Sequence, residues 1–326
     1  MTVSCQRYFA YGSNMSVSQM ARRCPGAVVG AVATLSGWRF KINRRGVATL
    51  VPDPAGEATG LVWHLTKACE RALDRYEGVR GGLYRKETLQ VAGAPTLVYL
   101  AAEERPGPPR PEYLEGILAA AEALGIAPAY CEELADWRKV VTPWLVAEVL
   151  GDYRLTVGGV HGPSHWLRVH ANGIALAART PGADAGVVEL FALLHDCQRL
   201  NENADRGHGA RAAKYVHRLS ADGLLRLDLP RLEVLATACA GHELGQVSND
   251  PTIGVCWDAD RLELSRLGRR PIPELLSTEA ARDFALQEIA WQRGRHWAVE
   301  DGHASSWGLD HAHLLGAREP AKGQAA

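Results

Sequence analysis

The stretch YFAYGSNM (residues 8–15) opens as an apolar, strand-like run and stops abruptly at Gly12, Ser13 and Asn14. Gly and Asn accept positive φ, and Ser and Asn hydrogen-bond their own backbone, so an ordinary turn can end a strand in this way. Successive backbone N–H groups in such a loop also form a concave site for an anion or a developing negative charge. These residues alone do not choose between the two. Working outward, short apolar runs at 27–32, 47–51, 60–63, 83–91 and 96–100, separated by Gly, Pro and Asp, predict further strands. One helix interrupts them from Thr66, carrying Cys69, Ala72, Leu73 and Tyr76 at helical spacing. The proline-rich connector ERPGPPRP (104–111) leads into another helix with Tyr113, Leu114, Ile117, Leu118 and Ala121 on one face and Gly125 at its end. The first half is therefore α+β.

Beyond Trp137 the strand pattern vanishes. From about residue 142 to 290 the windows are helical, as in DAGVVELFALLHD (184–196) and PRLEVLATACAGHE (230–243), and they are broken by Gly and Pro. An all-α second half follows, with the boundary between Trp137 and Thr142, giving expected domains at 1–140 and 141–295. Residues 296–326 form an extension whose end, GAREPAKGQAA, reads as a frayed tail. A length of 326 residues already calls for two cores.

A net charge of −1 gives no global attraction to nucleic acid or an anionic membrane, and no basic stripe or recognition motif suggests stable nucleic-acid binding. The seven cysteines are scattered and never spaced as CxxC, which fits reduced thiols better than a disulfide framework or a thiolate zinc site. The start MTVSCQR lacks the apolar segment of a signal peptide, and no run is long enough to span a bilayer. A cytoplasmic protein is expected.

In LDRYEGVRGGLYRKE (73–87) a helix ends at Glu77-Gly78. A carboxylate there sits at the negative end of the helix dipole, where it is disfavoured and its pKa is nudged upward. A solvated surface Glu is the plain alternative. YFAYGSNM, TGLVWHL (59–65), LDRYEGVRGGLYRKE and PPRPEYLEGILAAAEALGIAPAYCEEL (108–134), in that order, resemble the gamma-glutamylcyclotransferase family over about residues 7–137. The resemblance implies a small mixed barrel in which Tyr11, Gly12, Ser13 and Asn14 line a pocket for a γ-glutamyl group and Glu77 is the catalytic acid/base. It implies no cofactor in this half. In a γ-glutamyl amide the substrate's own α-amine can close a five-membered lactam on the γ-carbonyl, so proximity is built into the substrate. One carboxylate and a loop of N–H donors then suffice to move the protons and steady the oxyanion, releasing 5-oxoproline and an amine or amino acid. Tyr84, Tyr113 and Tyr130 stand where the family has aromatic residues and are expected to be core packing.

Histidine sets the helical half apart. HGPSHWLRVH (161–170) holds His161, His165 and His170, LLHDCQRL (193–200) holds His195-Asp196, DRGHGARAA (205–213) holds His208, CAGHE (239–243) holds His242, and CWDADRLEL (256–264) holds Asp258 and Asp260. An ionisable pair at the end of the apolar run FALL is costly to bury unless a cation neutralises it. The order His, His-Asp, Asp resembles the HD superfamily of metal-dependent hydrolases over about residues 155–280. That resemblance implies His165, His195, Asp196 and Asp260 on one ion, and Asp196, His208 and His242 on a second. His161 and Asp258 are expected to be capping or supporting groups. Imidazole and carboxylate donors suit Mn, Fe, Co, Ni or Zn, so one or two divalent transition metal ions are expected. Such ions acidify water and polarise a phosphoryl oxygen, the equipment of phosphoester hydrolysis on a phosphorylated small molecule or nucleotide. Arg168, Arg199 and Arg206 are candidate phosphate partners, with solvated surface arginine the expected fate of each.

The expected whole is a bifunctional enzyme, a γ-glutamyl cyclotransferase fused to an HD phosphohydrolase. Two alternatives remain at this point: a first half that only binds a ligand, or a second half that is a di-iron oxygenase.

Overall fold

The computed structural model describes residues 5–296, 299 and 301–310. The expected tail at 316–326 lies outside the described residues. The chain divides into two compact units, Met1–Lys139 and Val140–Ala326.

The first unit begins with β1 (Gln6–Ala10), a turn of 3-10 helix (Ser13–Met15) and α1 (Val17–Arg23). β2 (Val28–Ile42) and β3 (Ala48–Leu65) follow, then α2 (Lys67–Tyr76), β4 (Tyr84–Val91), β5 (Ala94–Ala101), α3 (Tyr113–Ala123) and α4 (Pro128–Ala135). The five strands make one mixed sheet in the order β2-β3-β1-β5-β4, with β1 antiparallel to β3 and parallel to β5. Successive side chains of a strand point to opposite faces, and in central β1 both Phe9 and Ala10 are fully buried, so both of its faces are covered. The end of β1 thus delivers Tyr11 to Asn14 from the middle of the sheet.

The runs expected as separate strands at 47–51 and 60–63 are one strand, β3, and β2 runs ten residues beyond the expected 27–32. Pro52 and Pro54 read as breakers. Pro52 pairs with Trp38 beside a register shift between Ser36 and Trp38, where Gly37 takes φ +81°. A bulge tolerates a residue with no N–H to give, so the ladder passes through. At Gly60 the sheet is tight: a Cβ there would lie 2.2 Å from Ala10 O and 2.9 Å from the Phe9 ring. Gly60→Ala should destabilise the first unit by about 1–3 kcal/mol, read as lost hydrogen-exchange protection in β1. Unchanged protection would mean that β1 and β3 do not approach this closely.

The described second unit is all helical: α5 (Pro143–Asp152), α6 (Pro163–Ala177), α7 (Ala185–Leu194), α8 (His208–Ala221), α9 (Leu229–Gly241), α10 (Pro251–Leu262), α11 (Glu279–Arg282), α12 (Phe284–Arg295) and α13 (Asp301–Ser306), with short 3-10 turns between some of them. Proline at the first turn of α5, α6, α9 and α10 supplies a preset φ where no N–H is needed. Side-chain caps from Thr142, Asp184, Asp228 and Asp250 fix the starts of α5, α7, α9 and α10. The core holds Trp166, Phe191, Leu193, Leu194, Val216, Leu235 and Val255, drawn from α6 to α10. No described helix is long and apolar enough to cross a membrane.

Candidate functional site

In the first unit, Thr66 caps α2 by accepting from Cys69 N (3.2 Å), and the helix ends at Glu77 with Gly78 at φ +64°. That left-handed residue suits Gly and ends the helix where the Glu77 side chain meets the loop after β1. Asn14 Nδ2 donates to Glu77 Oε1 (3.0 Å) and to Tyr8 Oη (2.9 Å), while Asn14 O accepts from Trp63 Nε1 (3.1 Å). Gly12 lies so close to its surroundings that a Cβ would meet Ala48 Cβ at 3.1 Å and Tyr113 Oη at 3.2 Å. Tyr11 is buried and its Oη donates to Tyr99 O (2.5 Å).

The cavity is lined by Tyr8, Tyr11, Gly12, Ser13, Asn14, Ala48, Glu77, Tyr84, Tyr99 and Tyr113. All five first-unit residues singled out in the sequence therefore meet. Tyr84 and Tyr113, expected as core packing, have their hydroxyls at this cavity: Tyr84 Oη donates to Ala48 O and Tyr113 Oη accepts from Ala48 N, each at 3.1 Å. Tyr130 does not line it. Tyr8 and Tyr99 carried no sequence signal beyond being apolar strand residues.

Burial pushes the Glu77 carboxyl up, against the bond from Asn14 and the nearby charges of Arg23 and Arg45. A carboxyl raised in this way is a better proton acceptor than a solvated one. Burial, with Glu77 adding to it, also keeps the Tyr8 phenol protonated far above its ordinary range, so it stays a neutral hydroxyl.

A sequence profile of the AIG2-like family matches residues 57–134. The mouse gamma-glutamylcyclotransferase is 32% identical over 142 residues, covering 39% of this chain and 76% of the mouse protein. The chain belongs to the gamma-glutamylcyclotransferase family. The human gamma-glutamylcyclotransferase is 30% identical over the same length, with the same shares of each chain covered. A solved gamma-glutamyl cyclotransferase structure aligns with 40% of this chain and 86% of its own, at 30% identity and a TM-score of 0.38. In this chain the helical unit carries a second cluster of polar groups.

There the six residues expected as metal ligands come together from five elements: His165 on α6, His195 and Asp196 at the end of α7, His208 opening α8, His242 ending α9 and Asp260 on α10. His165 Nε2 and His195 Nε2 are 3.1 Å apart, and Asp260 Oδ1 lies 3.5 and 3.8 Å from them. His208 Nε2 and His242 Nε2 are 2.8 Å apart. Asp196 spans the two pairs. Its Oδ2 is 3.5 Å from His165 and 3.7 Å from His195, and its Oδ1 is 3.1 Å from His208 and 3.5 Å from His242. The short interval between Asp196 and His208 is thus long enough to bring the two side chains together.

Each Nδ1 is already engaged: His165 with Glu263 Oε2 (3.0 Å), His195 with Phe191 O (3.1 Å), His208 with Asp205 O (2.7 Å) and His242 with Cys239 O (2.7 Å). Carbonyl and carboxylate oxygens can only accept, so the ring protons sit on Nδ1 and the Nε2 lone pairs turn inward. Two lone pairs at hydrogen-bond distance repel unless a proton or metal cation lies between them, and this donor set fits metal cations. Burial, against Asp196 and Asp260, drives His195 down to about 3, which leaves it neutral. Burial pushes the carboxyl of Asp196 up, but His195 and the neighbouring imidazoles of His165, His208 and His242 outweigh it and hold the group well below the usual range. Neutral imidazole and ionised carboxylate are the forms that bind metal. Burial pushes His242 down, but Asp196, Asp260 and the Cys239 carbonyl together outweigh it and raise the group, and a metal cation would displace that proton.

Around the cluster the reading of the arginines needs correcting. Arg168 is fully buried rather than solvated and donates through Nε to Glu263, which also accepts from Arg266 Nη1 (2.5 Å). Burial pushes the carboxyl of Glu263 up, yet His165 and these arginines bring it down to about 2. Arg199 is buried too, with Nη1 3.4 Å from Asp196 Oδ1 and Nη2 donating to Asn203 O (2.7 Å). Arg206 is exposed, as expected. His161 Nδ1 lies 2.6 Å from Glu202 Oε2. Asp258 accepts from the backbone N–H of Ser277 (2.8 Å) and of Thr278 (2.7 Å), just ahead of α11.

Proposed function

We propose that the first unit converts γ-glutamyl amides into 5-oxoproline and a free amine or amino acid. The observation carrying this reading is the Glu77 carboxylate, bonded by Asn14 inside a cavity lined by tyrosines and the loop from Gly12 to Asn14. Glu77 first takes a proton from the substrate's α-ammonium. The freed amine attacks the γ-carbonyl carbon and forms the C–N bond of the lactam ring. Charge on the carbonyl oxygen is met by donors of the loop from Gly12 to Asn14, and Glu77 returns its proton to the departing nitrogen as the amide C–N bond breaks. The ring nitrogen also sheds a second proton, which Glu77 passes to the released amine, so the ammonium of the substrate becomes the ammonium of the product and no enzyme nucleophile is required.

The second unit, on the same reading, is an HD-type phosphohydrolase. The convergence of four Nε2 atoms and two carboxylates supports it. His165, His195, Asp196 and Asp260 would hold one divalent ion, and Asp196, His208 and His242 a second. Bound there, such ions supply an acidified water and an electrophile for a phosphoryl group. The chain's own part is to fix the imidazoles through Nδ1 and keep Asp196 ionised.

The experiment is an assay of the full chain. It should release 5-oxoproline from γ-glutamyl-alanine without added metal. Cleavage of phosphoester and nucleotide substrates should depend on transition metal and stop with a chelator. A full chain that forms no 5-oxoproline from any γ-glutamyl amide would overturn the first assignment, and metal-independent phosphoester cleavage the second.

A further inference from the structure

An asparagine amide has one end that only accepts and one that only donates, and the two exchange when the group turns over. At Asn14 the donating end faces Glu77, and what holds it there is on α1. Arg23, the last residue of that helix, points Nη1 at Asn14 Oδ1 (2.5 Å) and lies 3.4 Å from Ser13 Oγ. A guanidinium has no acceptor, so opposite Arg23 the amide can present only its oxygen. The nitrogen is then obliged to face Tyr8 and Glu77.

Arg23 is itself held from two sides. Its Cζ lies 3.5 Å from the centre of the Tyr76 ring, and Nη2 donates to Tyr76 Oη. Gln19, one turn earlier on α1, can accept from Nη2 (2.6 Å) while donating to Ser13 O (2.5 Å). A planar group stacked on one ring and forked between partners loses little freedom per bond.

We propose that Arg23 is a positioning residue for proton transfer: by taking the oxygen end of Asn14 it turns the amide nitrogen onto Glu77 and fixes the carboxylate in the cavity. This rests on the reading of Glu77 as the acid/base. Were the amide to turn, Asn14 Oδ1 would face a carboxylate oxygen, and two acceptors in contact repel. The charged and titratable groups facing Glu77 are Tyr8 from β1, Tyr11 from the loop, Tyr84 from β4, Tyr113 from α3, Arg23 from α1 and Arg45 between β2 and β3. Tyr8 among them accepts from the same amide nitrogen, and Arg23 is the one that donates to the amide oxygen.

The test follows the Glu77 carboxyl by carbon-13 NMR in the full chain, its signal assigned by its loss in Glu77→Gln. Arg23→Met should raise the titration midpoint by about one pH unit, as expected for losing one charge and one oriented donor. The acidic limb of kcat/KM for γ-glutamyl-alanine should move with it, while KM changes little. Arg23→Lys keeps a donor opposite Asn14 Oδ1 and should hold the midpoint near the wild-type value. An unmoved midpoint in Arg23→Met overturns the inference, as does a lysine variant shifted as far as the methionine one. Failure of the underlying reading would look different, as a wild-type chain with no 5-oxoproline release, and the titration decides the positioning role in either case.

Discussion

Glu77→Gln should cut 5-oxoproline release by about 10²–10⁴-fold, the usual consequence of losing a positioned acid/base, with the fold unchanged. The substitution is nearly isosteric. Asn14 Nδ2 can still donate to the new amide oxygen as it does to Glu77 Oε1 at 3.0 Å, so the loop keeps its anchor. What is lost is the ionisable carboxyl and its charge. Far-UV circular dichroism and thermal unfolding should therefore match the wild type, while turnover of γ-glutamyl-alanine by the full chain falls. Wild-type turnover in Glu77→Gln would show that another group moves the proton, and the tyrosines around it, kept protonated by burial, would then be the next to replace.

Asp196→Ala should empty the second unit of transition metal altogether, because both oxygens of this one side chain are engaged, Oδ2 toward His165 and His195 and Oδ1 toward His208 and His242. His208→Ala and His242→Ala should each remove one ion and leave the other. Stoichiometry would fall from about two ions to about one, as for paired metals about 3.5–4 Å apart that share a ligand. Metal analysis of the purified chain, with anomalous scattering at the absorption edges, reads both predictions. Full metal content in Asp196→Ala would make the His195-Asp196 pair structural. A single anomalous peak in the fully loaded wild type would end the two-ion arrangement and leave His208 and His242 as substrate contacts.

Much of both sites was legible because each rests on local signals. Tyr11 to Asn14 end an apolar strand, Glu77 stands beside a helix-ending glycine, and His195-Asp196 follows a buried helical run. Strand–turn and helix–stop chemistry mark such positions in the chain itself. What escaped depends on distant side chains meeting. Arg168 has the look of any helical arginine, and nothing near it announces that Glu263, ninety-five residues away, will bury it. Arg23 closes a short surface helix nine residues after Asn14, and nothing in that interval announces that the helix returns its guanidinium to the loop. Tyr84 and Tyr113 read as packing, since an aromatic residue on a strand or helix has the same pattern whether its hydroxyl points into a core or a cavity. The long β3 was misread for the opposite reason: a strong local breaker, Pro52, was overruled by a bulge set by its neighbour strand.

The inward-facing lone pairs of the second unit bear on how that unit holds together. With every Nδ1 pinned, the imidazoles cannot swing aside to relieve their mutual repulsion, and two carboxylates add like charge to the same small volume. If the site binds ions as proposed, occupancy is part of the folding equilibrium, since an ion taken up only by the folded chain stabilises it by about 2.7 kcal/mol at a hundredfold excess over its dissociation constant. The unit's lifetime against unfolding, and so against proteolysis, would then follow the free concentration of its metal. Scarcity would remove the protein as well as its activity.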